Sequence, residues 1–373
     1  MNSIMGLFLI MLIMVPVFIA LMFIPYWTRR TESFGVTIPE EIYNRLELKV
    51  MRKQYAYIIG GISLLVVFIF LSCIPFVGND ENTLSLLLGF ILILYTGGSF
   101  LVYVKFHNKM KTLKAKESWG KQKSAQVVID TQFRQLKLTH SNLWFILSFA
   151  ISISTMVITF RLYDQIPDKI PMQYNFEGEI TNWMEKSYRS VLVMPIMQVY
   201  LTLLFLFINT MIARAKQQVN AENPEQSLQQ NVIFRRRWSA FIIATGTALT
   251  LLFSLVQLSF IYPINHRVLT IVPIIFGIGV TLGSIVLSFS TGQGGSRVKV
   301  SAEGTGKVID RDDDQHWKLG QFYYNINDPS LFLEKRFGIG WTINLARPLA
   351  WMILLVIILL AVSIPIVLGV TSM

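Results

Sequence analysis

The chain has 373 residues, of which 53% are hydrophobic and 15% charged, with a mean hydropathy of +0.51. A soluble globular domain is excluded, because the apolar residues are far too many and are bunched into long runs. The formal net charge of +11 follows from where the basic residues sit between those runs, so it does not require a nucleic-acid partner, and no direct nucleic-acid contact is expected.

A hydrocarbon core of about 30 Å calls for roughly 20 apolar residues as helix. Stretches 4–26, 55–77, 84–106, 143–163, 191–213, 238–260, 269–289 and 349–370 meet that requirement. The first has no basic residues ahead of it and is too long for the apolar region of a signal peptide, so it reads as a span. The expectation is an all-α polytopic membrane protein of about eight transmembrane helices, with a small α+β cytoplasmic module before the last helix. Its parts are a three-helix membrane region with basic loops (1–142), a four-helix membrane core (143–289) with an outward loop (164–190), the module (290–348) and a last transmembrane helix (349–373). Loops 27–54, 105–142, 214–237 and 290–348 hold 28 of the 33 Lys and Arg residues, and Arg161, Lys169, Lys186, Arg189 and Arg267 lie at the opposite ends. Basic residues near helix ends stay on the cytoplasmic side, which puts both termini outside.

In chain order, "FGVTIPEEIYNRLELKVMRKQYAY" carries a capping Thr37, Pro39 near a first turn, and Glu40 and Glu41 at a helix N-terminus. Ile42, Tyr43, Leu46 and Val50 then share one face against Arg45, Lys49, Arg52 and Lys53. That is the pattern of a helix lying on an anionic membrane surface, or of a plain connector into the second span. Cys73 lies inside that span and packs as a small apolar residue. The run from Lys105 to Lys123 suits lipid head groups or a protein partner, and "SAQVVIDTQFRQ" alternates like a strand at 125–133. Residues 215–231 read as a polar, mobile connector.

The module opens with "TGQGGSRVKV", which lacks the lysine-hydroxyl ending of a phosphate loop. "RVKV" and "KVID" suggest two strands around "SAEGTG", pairing with 125–133. "DRDDDQHW" with His316 lacks the ligand spacing of a calcium loop and reads as a solvated turn. Trp317, Tyr323, Tyr324 and Asn325 fall in an aromatic segment ending in an Asn-Asp-Pro turn. Arg336 and Trp341 belong to "FGIGWTINLA" and its flanks, which can lie in the interface with arginines reaching head groups. These six are the candidate contacts for a cytoplasmic partner or the membrane surface.

No Asp, Glu, Lys or His falls within a span away from its ends, and the interior polar groups are amides and hydroxyls such as Gln198, Asn209 and Gln257. His107, His140, His266 and His316 are scattered, and no HExxH or nucleophile-base spacing occurs. The expectation is a protein that is not an enzyme, with no catalytic residues, metal or cofactor. Pro195, Pro273, Gly277 and Gly283 keep open a transporter or permease subunit for a small amphiphile. A membrane scaffold is a third reading.

The outward loop "IPDKIPMQYNFEGEITNWMEKS" is the densest polar insertion. Pro167 and Pro171 hold its entry extended, Asn175 can close an Asx-turn, and Gly178 can take the positive φ of a reversal. In such a hairpin Met172, Tyr174 and Phe176 face one side, Gln173, Asn175 and Glu177 the other, and Trp183, Lys186 and Tyr188 sit at head-group level. The hairpin is either a binding lip or a rigid connector.

Its pattern, Pro171, Gln173, Tyr174, Asn175, Gly178, Trp183 and Lys186, resembles the signature of the SdpI family of bacterial membrane proteins. "FGVTIPEE" and "DDQHWKLGQFYYNINDPSLFLEKRFGIGWTINLARP" are similar to pieces of longer relatives with no assigned activity. The resemblance implies a bacterial cytoplasmic-membrane protein that confers immunity to a secreted antimicrobial peptide, or a receptor that draws a repressor to the membrane. It makes those seven outer-loop residues the ligand-binding candidates. The family's usual histidine is Gln173 here, which retains a neutral hydrogen-bonding role and not a charge switch. The partners it implies are the lipid bilayer, an extracellular peptide and a cytoplasmic repressor.

Overall fold

A computed structural model describes residues 3–77, 81–119, 136–174, 179–218, 224–300 and 313–367. Nine helices occur among them: α1 (Ser3–Trp27), α2 (Leu46–Val77), α3 (Glu81–Lys116), α4 (Phe145–Arg161), α5 (Tyr188–Val191), α6 (Val193–Arg214), α7 (Pro224–Leu258), α8 (His266–Thr291) and α9 (Pro348–Val367). The strands are β1 (Glu32–Ser33), β2 (Val36–Thr37), β3 (Lys169–Tyr174), β4 (Ile180–Glu185), β5 (Trp317–Lys318), β6 (Phe322–Tyr323), β7 (Phe332–Glu334) and β8 (Trp341–Ile343), paired in sequence as four antiparallel two-stranded sheets. The protein is a polytopic helical membrane protein: α2, α3, α4, α6, α7 and α8 are long and apolar enough to cross a bilayer, and α1 and α9 are further apolar helices.

α2, α3 and α7 have 32, 36 and 35 residues, about 50 Å each at 1.5 Å per residue, well beyond the bilayer core. Each carries its excess at the basic end. There the segment is the connector into the second span and not a separate surface helix: β1 and β2 form a hairpin, a short 3-10 helix starts after Pro39 and spans Glu40–Asn44, and Leu46–Lys53 begin α2. The face assigned from sequence is also corrected, since Leu48 and Met51 are buried while Leu46 is 78% exposed. Thr37 caps no helix; its N–H and hydroxyl both donate to Asp314. The expected connector 215–231 turns helical from Pro224, and its Asn231 is buried. "RVKV" forms no strand in its described residues 297–300. The expected strands at 125–133 and 307–310 lie outside the described residues.

α1 packs on α2 and α8, α2 on α3, α7 on α8, and α4, α6 and α7 against one another. At the basic end Phe34 stacks on Phe106 and Phe337, with Tyr55 and Tyr103 around them. This aromatic core ties the α1–α3 region to the module.

Candidate functional site

The loop expected to face outward folds as the β3–β4 hairpin. Lys169 faces Glu185, Ile170 faces Met184 and Pro171 faces Trp183, after which the register shifts so that Gln173 faces Asn182 and Tyr174 faces Ile180. The irregularity is a bulge-like bend in a short ribbon. Ile170 is fully buried with Ile166, Val191 and Phe260, which seats one face of the hairpin on the helix ends. Met172 packs on that cluster, and the Tyr174 ring lies 5.3 Å from His266. Burial pushes the Tyr174 hydroxyl pKa up, and a hydrogen bond with Ser259 acts against the shift.

Lys186 closes the neck of the hairpin. Its backbone N–H donates to Asp168 O at 2.7 Å, its ammonium donates to Ile166 O at 2.7 Å, and it sits 4.7 Å above the Tyr163 ring. Tyr163 in turn stacks on Tyr188. Trp183 points the other way and is 47% exposed. Of the seven candidates, Pro171, Tyr174, Trp183 and Lys186 can therefore be placed: one exposed aromatic, two positions facing the bundle or its partner strand, and one clasp. Asn175 and Gly178 lie outside the described residues, as does the Gln173 side chain.

Beneath the hairpin runs a polar seam. Ser148, Ser152, Thr155 and Thr159 on α4 recur every three or four residues, as do Thr250, Ser254 and Gln257 on α7, so each set shares one helix face. Gln257 donates to Thr159 Oγ1 and Val191 O, Thr155 and Ser254 hydroxyls meet at 2.9 Å, and Gln198 donates to Thr250 O and Ser254 Oγ. Near the basic end Ser239 donates to Asn209, whose amide donates to His140 O and Asn142 Oδ1. Gly246 allows the approach of α6, since a Cβ there would sit 3.0 Å from the Phe205 ring. The seam is neutral throughout; it can hold helices in register but offers no general acid or base.

At the other end the module binds residues of the first loop, the end of α3, and the segment from the end of α6 to the start of α7. Glu334 on β7 is fully buried, accepts from Asn231 and Arg235, and pairs with Arg29. Arg235 also donates to the carbonyls of Ile212 and Ala215, closing the C-terminus of α6. Arg336 pairs with Asp313 and Asp314 and lies 5.0 Å over the Trp317 ring. Asp314 further accepts from Lys114 of α3 at 2.8 Å. The acidic run expected as a solvated turn is thus, in its described part, an internal clamp.

Burial works against the Asp328 carboxylate, yet hydrogen bonds from Lys216, Ser330 and Tyr323 bring its pKa down to about 2. Gln293, just past α8, is fully buried and bonds Lys335 O and Gly340 in both directions. Of the six module candidates, Trp317, Tyr323 and Arg336 are interior, so the expected reach of Arg336 to head groups is corrected: two carboxylates hold it. Tyr324 is 47% exposed, while Asn325 and Trp341 are half-buried, Trp341 against Phe234. Arg29, Asn231, Arg235 and Glu334 were missed. The only sequence signal of Arg29, Asn231 and Arg235 was ionic or amide character at the junction of loop and span, and Glu334, on β7 of the module, carried none beyond its charge.

Among the described residues, no three of His, Cys, Asp and Glu gather as a metal site requires. Family models match three parts of the chain: a domain of unknown function (DUF1648) over residues 150–199, a family of unknown function (DUF5808) over 327–351, and MFS/sugar transport protein over 3–165. The first covers the hairpin and its flanking helices, the second the β7–β8 hairpin and the start of α9. No curated protein and no solved structure matches the chain. Each model covers less than half of the sequence, and together they and the helices describe a multi-pass membrane protein with a transporter-like stretch and two uncharacterised segments.

Proposed function

We propose that the chain is a non-enzymatic receptor or immunity protein of a bacterial cytoplasmic membrane, with both termini and the β3–β4 hairpin outside and the module inside. The hairpin engages a secreted peptide, and the module reports that contact to a cytoplasmic regulator. The observation that carries this reading is continuity. The hairpin is seated on the ends of α4, α6 and α7 by Lys186 and Ile170, with Gln257 of α7 bonding Thr159 of α4 and Val191 beneath it, and at the opposite end α7 reaches the module through Asn231 and Arg235 and α6 through Phe207 against Phe332. A ligand that shifts the hairpin therefore has a packed, hydrogen-bonded route to the opposite end. Resemblance of the hairpin sequence to SdpI-like proteins supports a peptide as ligand.

The test places a photo-crosslinking amino acid at Trp183 in intact cells exposed to secreted peptide fractions, and follows reagent access at Tyr324→Cys in permeabilised cells. A peptide adduct together with changed labelling at position 324 is expected. Adducts to lipid alone, with labelling unchanged, would overturn the reading.

A second reading, transport of a small amphiphile, is favoured by the transporter match over residues 3–165. Solute accumulation in proteoliposomes without peptide would decide for it.

A further inference from the structure

Outside the hairpin and the module, one cleft joins charge, aromatic surface and a bilayer-facing furrow. It lies between α2 and α3 at the basic end, has a volume of about 450 Å³, and is lined by Gln54, Tyr57, Ile58, Lys105, Phe106 and Lys109. Among the described residues no acidic side chain lines it. Lys53 adds a third cation at the rim, its ammonium 5.6 Å from the centre of the Tyr57 ring. Tyr57 is 68% exposed, and Lys105 and Lys109 are exposed as well.

The depth of the cleft is fixed by the helices. Gln54, Tyr57, Ile58 and Gly61 follow at i, i+3, i+4 and i+7 on α2, hence on one face. On the antiparallel neighbour α3, Gly98, Leu101, Lys105 and Lys109 follow at i, i+3, i+7 and i+11, again on one face. Gly61 and Gly98 are each seven residues deeper than Gln54 and Lys105, about 10 Å towards the bilayer centre. A Cβ at either glycine would meet nothing within 4 Å. The two helices thus carry cations and an amide at head-group level, an aromatic ring beside them, and a smooth furrow below where apolar side chains would otherwise stand. Leu101, 69% exposed, and Leu65, 55% exposed, border that furrow with hydrocarbon.

We infer that this cleft is a binding site for an anionic phospholipid, with the phosphodiester held by Lys105 and Lys109, the head-group hydroxyls by Gln54, and one acyl chain lying over Gly61 and Gly98. Charge complementarity selects the occupant. Two lysines at the membrane interface favour a lipid of net negative charge over a zwitterion, whose own ammonium they repel. The furrow adds a requirement that a soluble phosphate cannot meet, because its apolar walls are covered only by a chain.

The full-length protein is purified, reconstituted with equal amounts of phosphatidylglycerol and phosphatidylcholine, extracted again in mild detergent, and the retained lipid counted by native mass spectrometry. Phosphatidylglycerol should be retained in clear excess, and inorganic phosphate should not displace it. Lys105→Gln with Lys109→Gln should weaken retention by about fivefold for each lysine removed. Gly61→Leu with Gly98→Leu, which leaves the charge unchanged and meets no neighbour at Cβ, should also lower it. Arg236→Ala with Arg237→Ala, exposed cations of the same end on α7, should leave it unchanged, and the melting temperature of each variant reports its folding. Equal retention of both lipids, displacement by phosphate, or an arginine pair as effective as the lysine pair would each overturn the inference.

Discussion

Arg235 and Glu334 meet at 2.9 Å with neither side chain reaching solvent. Arg29 pairs with the same carboxylate, so one anion serves two guanidinium groups from opposite halves of the chain. Breaking a buried pair by removing one partner strands the other charge and costs about 3–5 kcal/mol. Glu334→Gln removes the one negative charge that Arg235 and Arg29 share. Arg235→Met strands no charge, since Glu334 keeps Arg29 and Asn231, although the Ile212 and Ala215 carbonyls lose their donor. Thermal unfolding in detergent should therefore rank Glu334→Gln as clearly the more damaging. The reverse order would mean that Glu334 is not the common partner.

Glu32 sets a pH dependence. Burial raises its carboxyl pKa from 4.5 to about 7, while Arg29 and Arg336 act in the opposite direction and Asp314 adds to the rise. Because the folded protein then holds a proton that the unfolded chain releases at lower pH, the associated stability is present in full below pH 4.5 and is lost as pH rises through about 7. The span corresponds to an effect on the order of 3 kcal/mol. Glu32→Gln mimics the protonated side chain, so its stability relative to the unmodified protein should increase from about pH 5.5 to about pH 8. Parallel melting temperatures across that range would rule out Glu32 as the titrating group.

The eight apolar runs and the gathering of basic loops at one end were legible because both depend on composition alone, and so was the outer hairpin, whose prolines mark it. What was not legible was pairing over long sequence distances. Asp313 and Asp314 look solvated until Arg336, Thr37 and Lys114 surround them. Arg336 looks like a head-group anchor for the same reason. The amide-rich start of α7 reads as a linker because Asn231 has no local partner; its partner, Glu334, is 103 residues away. The seam was glimpsed in Gln198, Asn209 and Gln257, but their register against the Ser and Thr residues of α4 needs helix rotations that no single sequence supplies.

Two tight turns meet back to back at the basic end. Phe34 and Gly35 join β1 to β2, Leu319, Gly320 and Gln321 join β5 to β6, and Phe34, Gly35, Leu319 and Gly320 all have positive φ. Two successive positive φ values are the dihedral signature of a type I′ turn, which closes β1–β2 as a two-residue hairpin and lies within the three-residue β5–β6 connection. Tyr103 donates to Leu319 O at 2.8 Å, and the His107 ring nitrogen Nδ1 contacts Phe34 O at 2.8 Å, so one face of α3 reads both turns. At Gly35 a Cβ would lie 2.6 Å from both Gly320 O and the Tyr103 hydroxyl oxygen. Gly35→Ala should lower stability by about 2 kcal/mol or more, since the strained backbone and the clash add. Tyr103→Phe, which loses hydrogen bonds and no packing, should cost about 1 kcal/mol. Comparable melting temperatures for Gly35→Ala and the unmodified protein would show that the turns separate easily.

The sidedness of the whole arrangement rests on basic-residue placement and is open to a direct test. The loops 27–54, 105–142, 214–237 and 290–348 hold 28 of the 33 Lys and Arg residues, and retention of cations on the cytoplasmic side would put the β3–β4 hairpin outside. Cys73 is the single cysteine and lies within α2, so Cys73→Ser gives a clean background. Glu179 precedes β4 and is exposed; Gln229 lies in the first turns of α7 and is exposed as well. In intact cells Glu179→Cys should react with a membrane-impermeant thiol reagent, whereas Gln229→Cys should react only after lysis. Accumulation of both variants in the membrane fraction is the control that separates topology from folding. Labelling of position 229 before lysis, with position 179 protected, would turn the protein over in the bilayer, place the hairpin beside the cytoplasm and remove the basis for an extracellular ligand there.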